Sequence, residues 1–296
     1  MASLGCARPR EGWNRPWAKS TQRSAARSEG FERARMATVS TENALRAMRA
    51  TYPDLKGWQA RARRLEEPQP GSELAADDAP FSSHRISDTA RLSLILSGEH
   101  LRLAATAVEA GEWYPSAHFT VLRSALVGAA QAVWLLAPRE PAERQERGLM
   151  VMGEMYRERQ KYVQEASKMQ LSEDERREIP LQTEWSRERI ARITELRRGR
   201  AALSQTDIIR WAVEYRFPDR ARQEAIKLLW RQMSADAHVL GWSLFQRVHN
   251  FKGDRLSGLA VGAAGGDVEH IAEPFVAAHH LLKEGWSLFD RLCEAP

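Results

Sequence analysis

The residues whose types and spacing best suit chemistry are Arg231 and His238, in the run Arg231-Gln232-Met233-Ser234-Ala235-Asp236-Ala237-His238. On a helix, seven positions bring two side chains back to one face, here with Ser234 between them. An imidazole can move a proton near neutral pH, and a guanidinium can steady an anion. A plainer reading competes: His238 is structural, buried and hydrogen-bonded beside Trp242, and this is the expected outcome. Arg123 is a candidate of a different kind, a charge inside the most apolar segment of the chain. Such a charge must be paired or must reach water. A buried Arg123 could bind an anionic ligand; the simpler expectation is a structural ion pair, or a side chain lying along Thr120 and Gln131 with its head in solvent.

Other chemistries find little support. A di-iron bundle needs Glu-x-x-His pairs on two helices, and the sequence has none; Glu99-His100, Glu269-His270 and His279-His280 are adjacent residues that point to different faces. Glycines 253, 258, 262, 265 and 266 make one glycine-rich segment, but it carries neither a dinucleotide-binding nor a phosphate-loop motif. No metal or other cofactor is expected. Arg187, Arg189, Arg192, Arg197, Arg198 and Arg200 form a basic cluster offset by Glu188 and Glu195. It could meet nucleic acid, although a charge run at a helix end is more simply a solvated face.

The elements that must position these residues read as helices. After a short helical pattern over 41–66, Glu67-Pro68-Gln69-Pro70-Gly71 to Pro80 reads as a linker, and the folded body is expected to begin near Phe81. Ser87 or Asp88 can cap a first body helix that runs to Gly111. Pro115 and Pro138 bracket a second, in which Phe119, Leu122, Leu126, Ala129, Val133 and Leu136 recur at spacings of three and four. Nearly all its other positions are apolar too, so it should be the core. A third, outer helix spans about Pro141 to Met169, and a fourth begins at Ser172 and is expected to break at Pro180. A short helix follows Ser204. Asp219 to Leu240, free of Gly and Pro, predicts one continuous helix carrying both Arg231 and His238. Leu259 to Val261 is a candidate short strand, and a last helix is expected from about Pro274 to Leu292. Gly241-Trp242-Ser243-Leu244-Phe245-Gln246-Arg247-Val248 recurs as Gly285-Trp286-Ser287-Leu288-Phe289-Asp290-Arg291-Leu292, with six of eight residues identical. Their flanks do not align, so this is read as one packing solution used twice.

The fold class is therefore all-α: a multi-helix bundle over 81–296, a short helix and linker over 36–80, and a disordered basic tail over 1–35. The tail holds eight basic and three acidic residues, which equals the whole net charge of +5. The remaining body is charge-balanced and has no general pull toward phosphate backbones. Met36-Ala37-Thr38-Val39-Ser40 looks like a natural start, so the tail is expected to be untranslated, with a transit peptide as the alternative. Two cysteines at opposite ends, Cys6 and Cys293, build no disulfide framework. With no secretory h-region and an apolar run, Ala125 to Ala137, shorter than a membrane span needs, a cytoplasmic protein is expected.

The spacing of Arg231 and His238 resembles the Arg-x(4 to 6)-His motif of HEPN-type helical domains, many of them metal-independent ribonucleases that work as dimers. That resemblance implies a proton-moving role for His238 and a phosphate-steadying role for Arg231. The family commonly has Asn, Asp or His directly after the Arg, where this chain has Gln232. Leu122 to Leu126, Trp134 to Pro138 and Ser234 to His238 are together similar to helical proteins of actinobacteria, which often have Glu at the position of Val127. The leading expectation is a non-catalytic interaction protein and homodimer with a protein partner. The alternative is a HEPN-like ribonuclease or nucleic-acid-linked defence factor acting on RNA.

Overall fold

The computed structural model describes residues 41–199, 201–253 and 260–296, with the side chains of all but 248–253 and 260–264. The basic tail lies outside the described residues. In chain order the helices are α1 (Thr41–Arg49), α2 (Tyr52–Ala62), α3 (Glu73–Asp78), α4 (Ile86–Glu109) and α5 (Ala117–Leu136). There follow α6 (Pro141–Ala166), α7 (Glu173–Leu196), α8 (Gln205–Arg216), α9 (Arg220–Ala237) and α10 (Val268–Cys293). Between α9 and α10, strands β1 (Val248–Gly253) and β2 (Ala260–Ala264) pair antiparallel, Val248 opposite Ala264 and Gly253 opposite Ala260. The architecture is an all-α bundle to which this hairpin is an appendage. The candidate strand at 259–261 falls on β2, except for Leu259, which is outside the described residues.

Helix α5 is central. Its predicted seam of Phe119, Leu122, Leu126, Ala129, Val133 and Leu136 is buried throughout. It packs chiefly against α4 and α10, then against α8 and α9. The α4 contact is close because Gly128 has no side chain: a Cβ there would stand 2.7 Å from the Ser93 carbonyl oxygen. Two serines and a glutamine in that seam find partners, as buried polar groups usually do. Ser97 Oγ donates to the Ala125 carbonyl at 2.7 Å, and Gln131 Nε2 to Ser93 Oγ at 2.8 Å. By length and composition α5 also passes for a membrane span, and here it serves as the core helix of the bundle.

Among the described residues the compact unit already includes Thr41 and all that follows, well before the expected boundary at Phe81. Ala44 and Met48 of α1 and Leu55 of α2 belong to the core, and α1 lies on α10. Nor is 67–80 a free linker. Within it, α3 presents two adjacent carboxylates to two different helices. Asp77, buried, accepts from Arg144 Nε at 2.5 Å, while Arg144 Nη1 donates to the carbonyls of Pro138 and Arg139. Asp78 accepts from the Ser87 amide at 2.9 Å and the Ser87 hydroxyl at 2.6 Å. Ser87 therefore does not cap α4. The helix starts one residue earlier, and Asp78 satisfies its first-turn donor from outside.

Three other helix limits differ from expectation. Helix α6 stops at Ala166 rather than Met169. Helix α7 runs through Pro180 without interruption, held by a capping box between Ser172 and Glu175 and by its packing on α6. A proline in a helix interior costs about 3 kcal/mol, which those contacts outweigh. Helix α10 starts at Val268, capped by Asp267, and carries Pro274 inside it.

Candidate functional site

The candidate residues gather at the C-terminal end of α9. Asp219 caps its start, accepting from the Arg222 amide at 2.9 Å, and Ile226, Trp230 and Met233 bury one face. The helix ends at Ala237, short of the expected Leu240. Its termination is a Schellman turn, in which the Val239 amide donates to the Asp236 carbonyl at 3.0 Å and the Leu240 amide to Ala235 at 2.9 Å. Such a turn needs a left-handed residue, usually glycine, and Val239 takes that role with φ of 56°. A β-branched residue there is strained, at a cost of about 1–2 kcal/mol.

A buried ion pair compensates. Arg247, from the 3₁₀ turn Leu244–Arg247, donates through Nη1 to Asp236 Oδ1 at 3.1 Å and through Nη2 to Oδ2 at 2.5 Å. Ser243 Oγ, at 3.0 Å, and Ser116 Oγ, at 3.1 Å, also donate to Asp236 Oδ1. Arg247 further donates to the Pro115 carbonyl and lies over the Phe119 ring at 3.6 Å. One carboxylate thus ties together the end of α9, the turn after it and the start of α5. Both partners are hydrogen-bonded on several sides, the condition under which a buried pair is tolerated.

Within this frame Arg231 and His238 are both exposed, and neither side chain has a hydrogen bond or ion pair among the described residues, although the His238 amide donates to the Ser234 carbonyl at 3.1 Å. The structural role expected for His238 is corrected: it caps the helix C-terminus facing solvent, and Trp242 is itself 42% exposed. The physical reason is the early helix end, which turns the following chain away before it can cover the imidazole. Ser234 joins neither residue and instead receives Arg123. Arg123 Nε donates to Ser234 Oγ at 3.3 Å, and its guanidinium lies over the Trp230 ring at 4.7 Å. No carboxylate pairs with it among the described residues, so the expected ion pair is corrected to an aromatic and hydroxyl contact. Partial burial pulls the Arg123 pKa below its usual value.

Sequence reasoning missed Asp236, Arg247, Ser243 and Ser116. Asp236 lies inside the very run singled out for Arg231 and His238, but its partners are separated from it in sequence, and no local spacing marks them. It also missed the surface they hold in place. Val239, Leu240 and Phe245 are 88%, 59% and 68% exposed, and with Trp242 they set four large apolar side chains within seven residues on the outside of a pinned turn.

Other groups read as structural. Among the described residues no three His, Cys, Asp or Glu side chains gather as a metal site. His279 Nε2 meets Asp54 Oδ2 at 3.1 Å, and Lys283 meets the same oxygen at 3.0 Å. In the basic cluster Arg187 pairs with Glu184, Arg192 with Glu195 and Arg197 with Glu146, while Arg189 stacks over Trp185 at 3.8 Å. Arg200 lies outside the described residues. Comparison with protein-family models, curated proteins and solved structures gives no match.

Proposed function

We propose that this chain is a non-catalytic helical interaction protein of the cytoplasm, which self-associates and engages a protein partner through the turn Val239–Phe245. The observation that carries the reading is the exposure of four large apolar side chains on a segment fixed by the Asp236–Arg247 pair. A few residues carry most of the energy in protein interfaces, and tryptophan is enriched among them. A turn already ordered before binding avoids most of the entropy cost of association.

The test is affinity capture from the native host with full-length wild type, a Trp242→Ala/Phe245→Ala double variant and His238→Ala. One defined protein retained by wild type and His238→Ala but lost by the double variant supports the reading. Equal capture by all three removes the turn as the binding surface.

A second reading, a HEPN-like metal-independent ribonuclease or nucleic-acid-linked defence factor, is favoured by one observation: the side chains of Arg231 and His238 are both solvent-exposed and uncommitted to any partner among the described residues. In it His238 moves the proton and Arg231 steadies the phosphate. Metal-free cleavage of a mixed RNA pool, lost in both Arg231→Ala and His238→Ala with unchanged melting, would replace the first reading with this one.

A further inference from the structure

We infer that the slot between α2 and α4 is a binding site for a free α-amino acid with an apolar side chain the size of leucine's. The inference is independent of the turn Val239–Phe245 and of the self-association proposed above. The two helices lie antiparallel: at the start of α2 the Tyr52 hydroxyl donates to Glu109 at 3.0 Å, and at its end the Arg61 carbonyl accepts from Arg91 at 2.9 Å. Leu55, Trp58 and Ala62 recur on one face of α2, and Leu94, Ile95, Gly98, Glu99 and Arg102 on one face of α4. Between these faces lies a cavity of about 200 Å³. At about 30 Å³ per molecule that is the space of roughly seven waters, too small for a nucleotide or a peptide chain and suited to a single amino acid.

The walls of the slot are apolar and already fixed. Leu55 and Leu94 are buried, and Trp58 is held by stacking on Trp286, with ring centres 6.4 Å apart, and by the His279 ring at 5.4 Å. Gly98 leaves the floor bare: a Cβ there would meet Leu282 at an ordinary 3.8 Å, so the glycine is not forced by close packing. Preformed apolar clefts with a few polar groups are where small ligands bind, and walls that need no ordering lower the cost of binding.

The charged end of the slot selects the ligand. Glu99 and Arg102 both line it, one turn apart on α4, and neither side chain has a hydrogen bond or ion pair among the described residues. Acids placed three residues before a base elsewhere on the described helices close on it, as Glu154 does on Arg157 at 2.7 Å, Glu158 on Lys161 at 2.6 Å and Asp207 on Arg210 at 3.1 Å. Otherwise they take a different base, as Glu195 takes Arg192. Glu99 and Arg102 do neither, which leaves a carboxylate and a guanidinium open side by side, about 5–6 Å apart at Cβ. An α-amino acid carries the complementary charges on one carbon. Its carboxylate fits the two-pronged guanidinium of Arg102, and its ammonium fits Glu99. Helical side chains lean toward the N-terminus of their helix, so Arg102 tilts over Glu99 and Gly98, and the ligand's side chain is left to run down the slot between Trp58 and Ile95. A simple carboxylic acid, amine or phosphate satisfies only one of the two groups. Arg63, just past α2, lines the opposite end of the slot, toward Arg91, and takes no part in that recognition.

Isothermal titration of the full chain tests this with four probes: L-leucine; 4-methylpentanoate, which lacks the ammonium; 3-methylbutylamine, which lacks the carboxylate; and glycine, which lacks the side chain. Leucine should bind saturably, and each partial ligand at least roughly tenfold more weakly. Glu99→Gln should weaken leucine by at least roughly tenfold and leave 4-methylpentanoate unchanged, whereas Arg102→Gln should weaken both and spare the amine. Arg63→Gln removes a charge of the same sign at the other end and should leave leucine binding as it was. Gly98→Leu should fill the slot and abolish binding; melting of every variant establishes folding, and the charge variants decide the matter where Gly98→Leu does not fold. No saturable heat with leucine up to about 10 mM overturns the site. So does leucine binding that survives both Glu99→Gln and Arg102→Gln, or a loss in Glu99→Gln that is equal for leucine and 4-methylpentanoate, which marks Glu99 as structural.

Discussion

Arg247 closes a two-pronged ion pair on the buried carboxylate of Asp236, eleven residues back in the chain, with Nη2 2.5 Å from Oδ2. Both side chains are almost wholly removed from water. Arg247→Met strands a buried negative charge and should cost about 3–5 kcal/mol in the denaturant midpoint. Asp236→Leu with Arg247→Met removes both charges and should recover part of the loss. A cost below about 1 kcal/mol for the single variant means that the turn is held by other contacts.

Exposed side chains without partners contribute little to folding. Arg231→Ala and His238→Ala should each change stability by less than about 0.5 kcal/mol, measured by urea unfolding. A loss of 2 kcal/mol or more for His238→Ala, roughly the cost of breaking a buried hydrogen bond, restores the structural role that the exposed position argues against.

Leu126 sits fully buried in the α5 seam. Leu126→Asp places an unpaired charge there and should destabilise the protein by several kcal/mol. A denaturant midpoint near that of wild type removes α5 from the core.

Val239 occupies a left-handed position suited to glycine, with its side chain largely in water. Val239→Gly relieves about 1–2 kcal/mol of strain against up to about 1 kcal/mol of lost chain entropy. A small gain in melting temperature is expected. A clear loss shows that the valine side chain itself stabilises the turn.

Burial lowers the pKa of His84, His118, His279 and His280, which keeps them neutral in the fold. The unfolded chain takes up protons below about pH 6.5, where the folded chain resists them. Their stability contribution is therefore complete above that value and falls away as pH drops through it. Asp77 and Asp78, raised by burial, act in the opposite direction from about pH 3.9 upward. Melting temperature should fall between pH 7 and pH 5. His280 is the cleanest contributor, since Arg216, Arg222 and Lys283 also disfavour its charge, and His280→Phe should flatten the slope. A profile unchanged by that substitution assigns the dependence to the other histidines.

The recurring octapeptide shows what sequence could and could not reveal. In α10, Trp286, Leu288, Phe289 and Leu292 are buried, and Gly285 lets Leu94 approach to where a Cβ would sit 2.7 Å away. The matching Gly241 instead takes φ of 63° in a turn, and Trp242 and Phe245 face water. Six identical residues therefore adopt a helix in one place and a turn in the other. The difference is tertiary: α10 has α4 and α5 to lie on, while the earlier copy is pulled around by Arg247 reaching Asp236. The α5 seam was legible because its period is local and its burial complete. Cap positions at Ser87, the passage through Pro180 and the roles of Asp77, Asp78 and Asp236 were not, because each depends on a partner distant in sequence.

The position of α10 at the end of the chain has a consequence for biosynthesis. Helix α5 is complete at Leu136, but the helix that covers much of it is not finished until Cys293. At about 5–20 residues per second, the most apolar helix emerges roughly ten to thirty seconds before its cover does. During that interval a segment with the length and composition of a membrane span stands incompletely shielded outside the ribosome. The nascent chain, rather than the finished protein, is the form most in need of a chaperone.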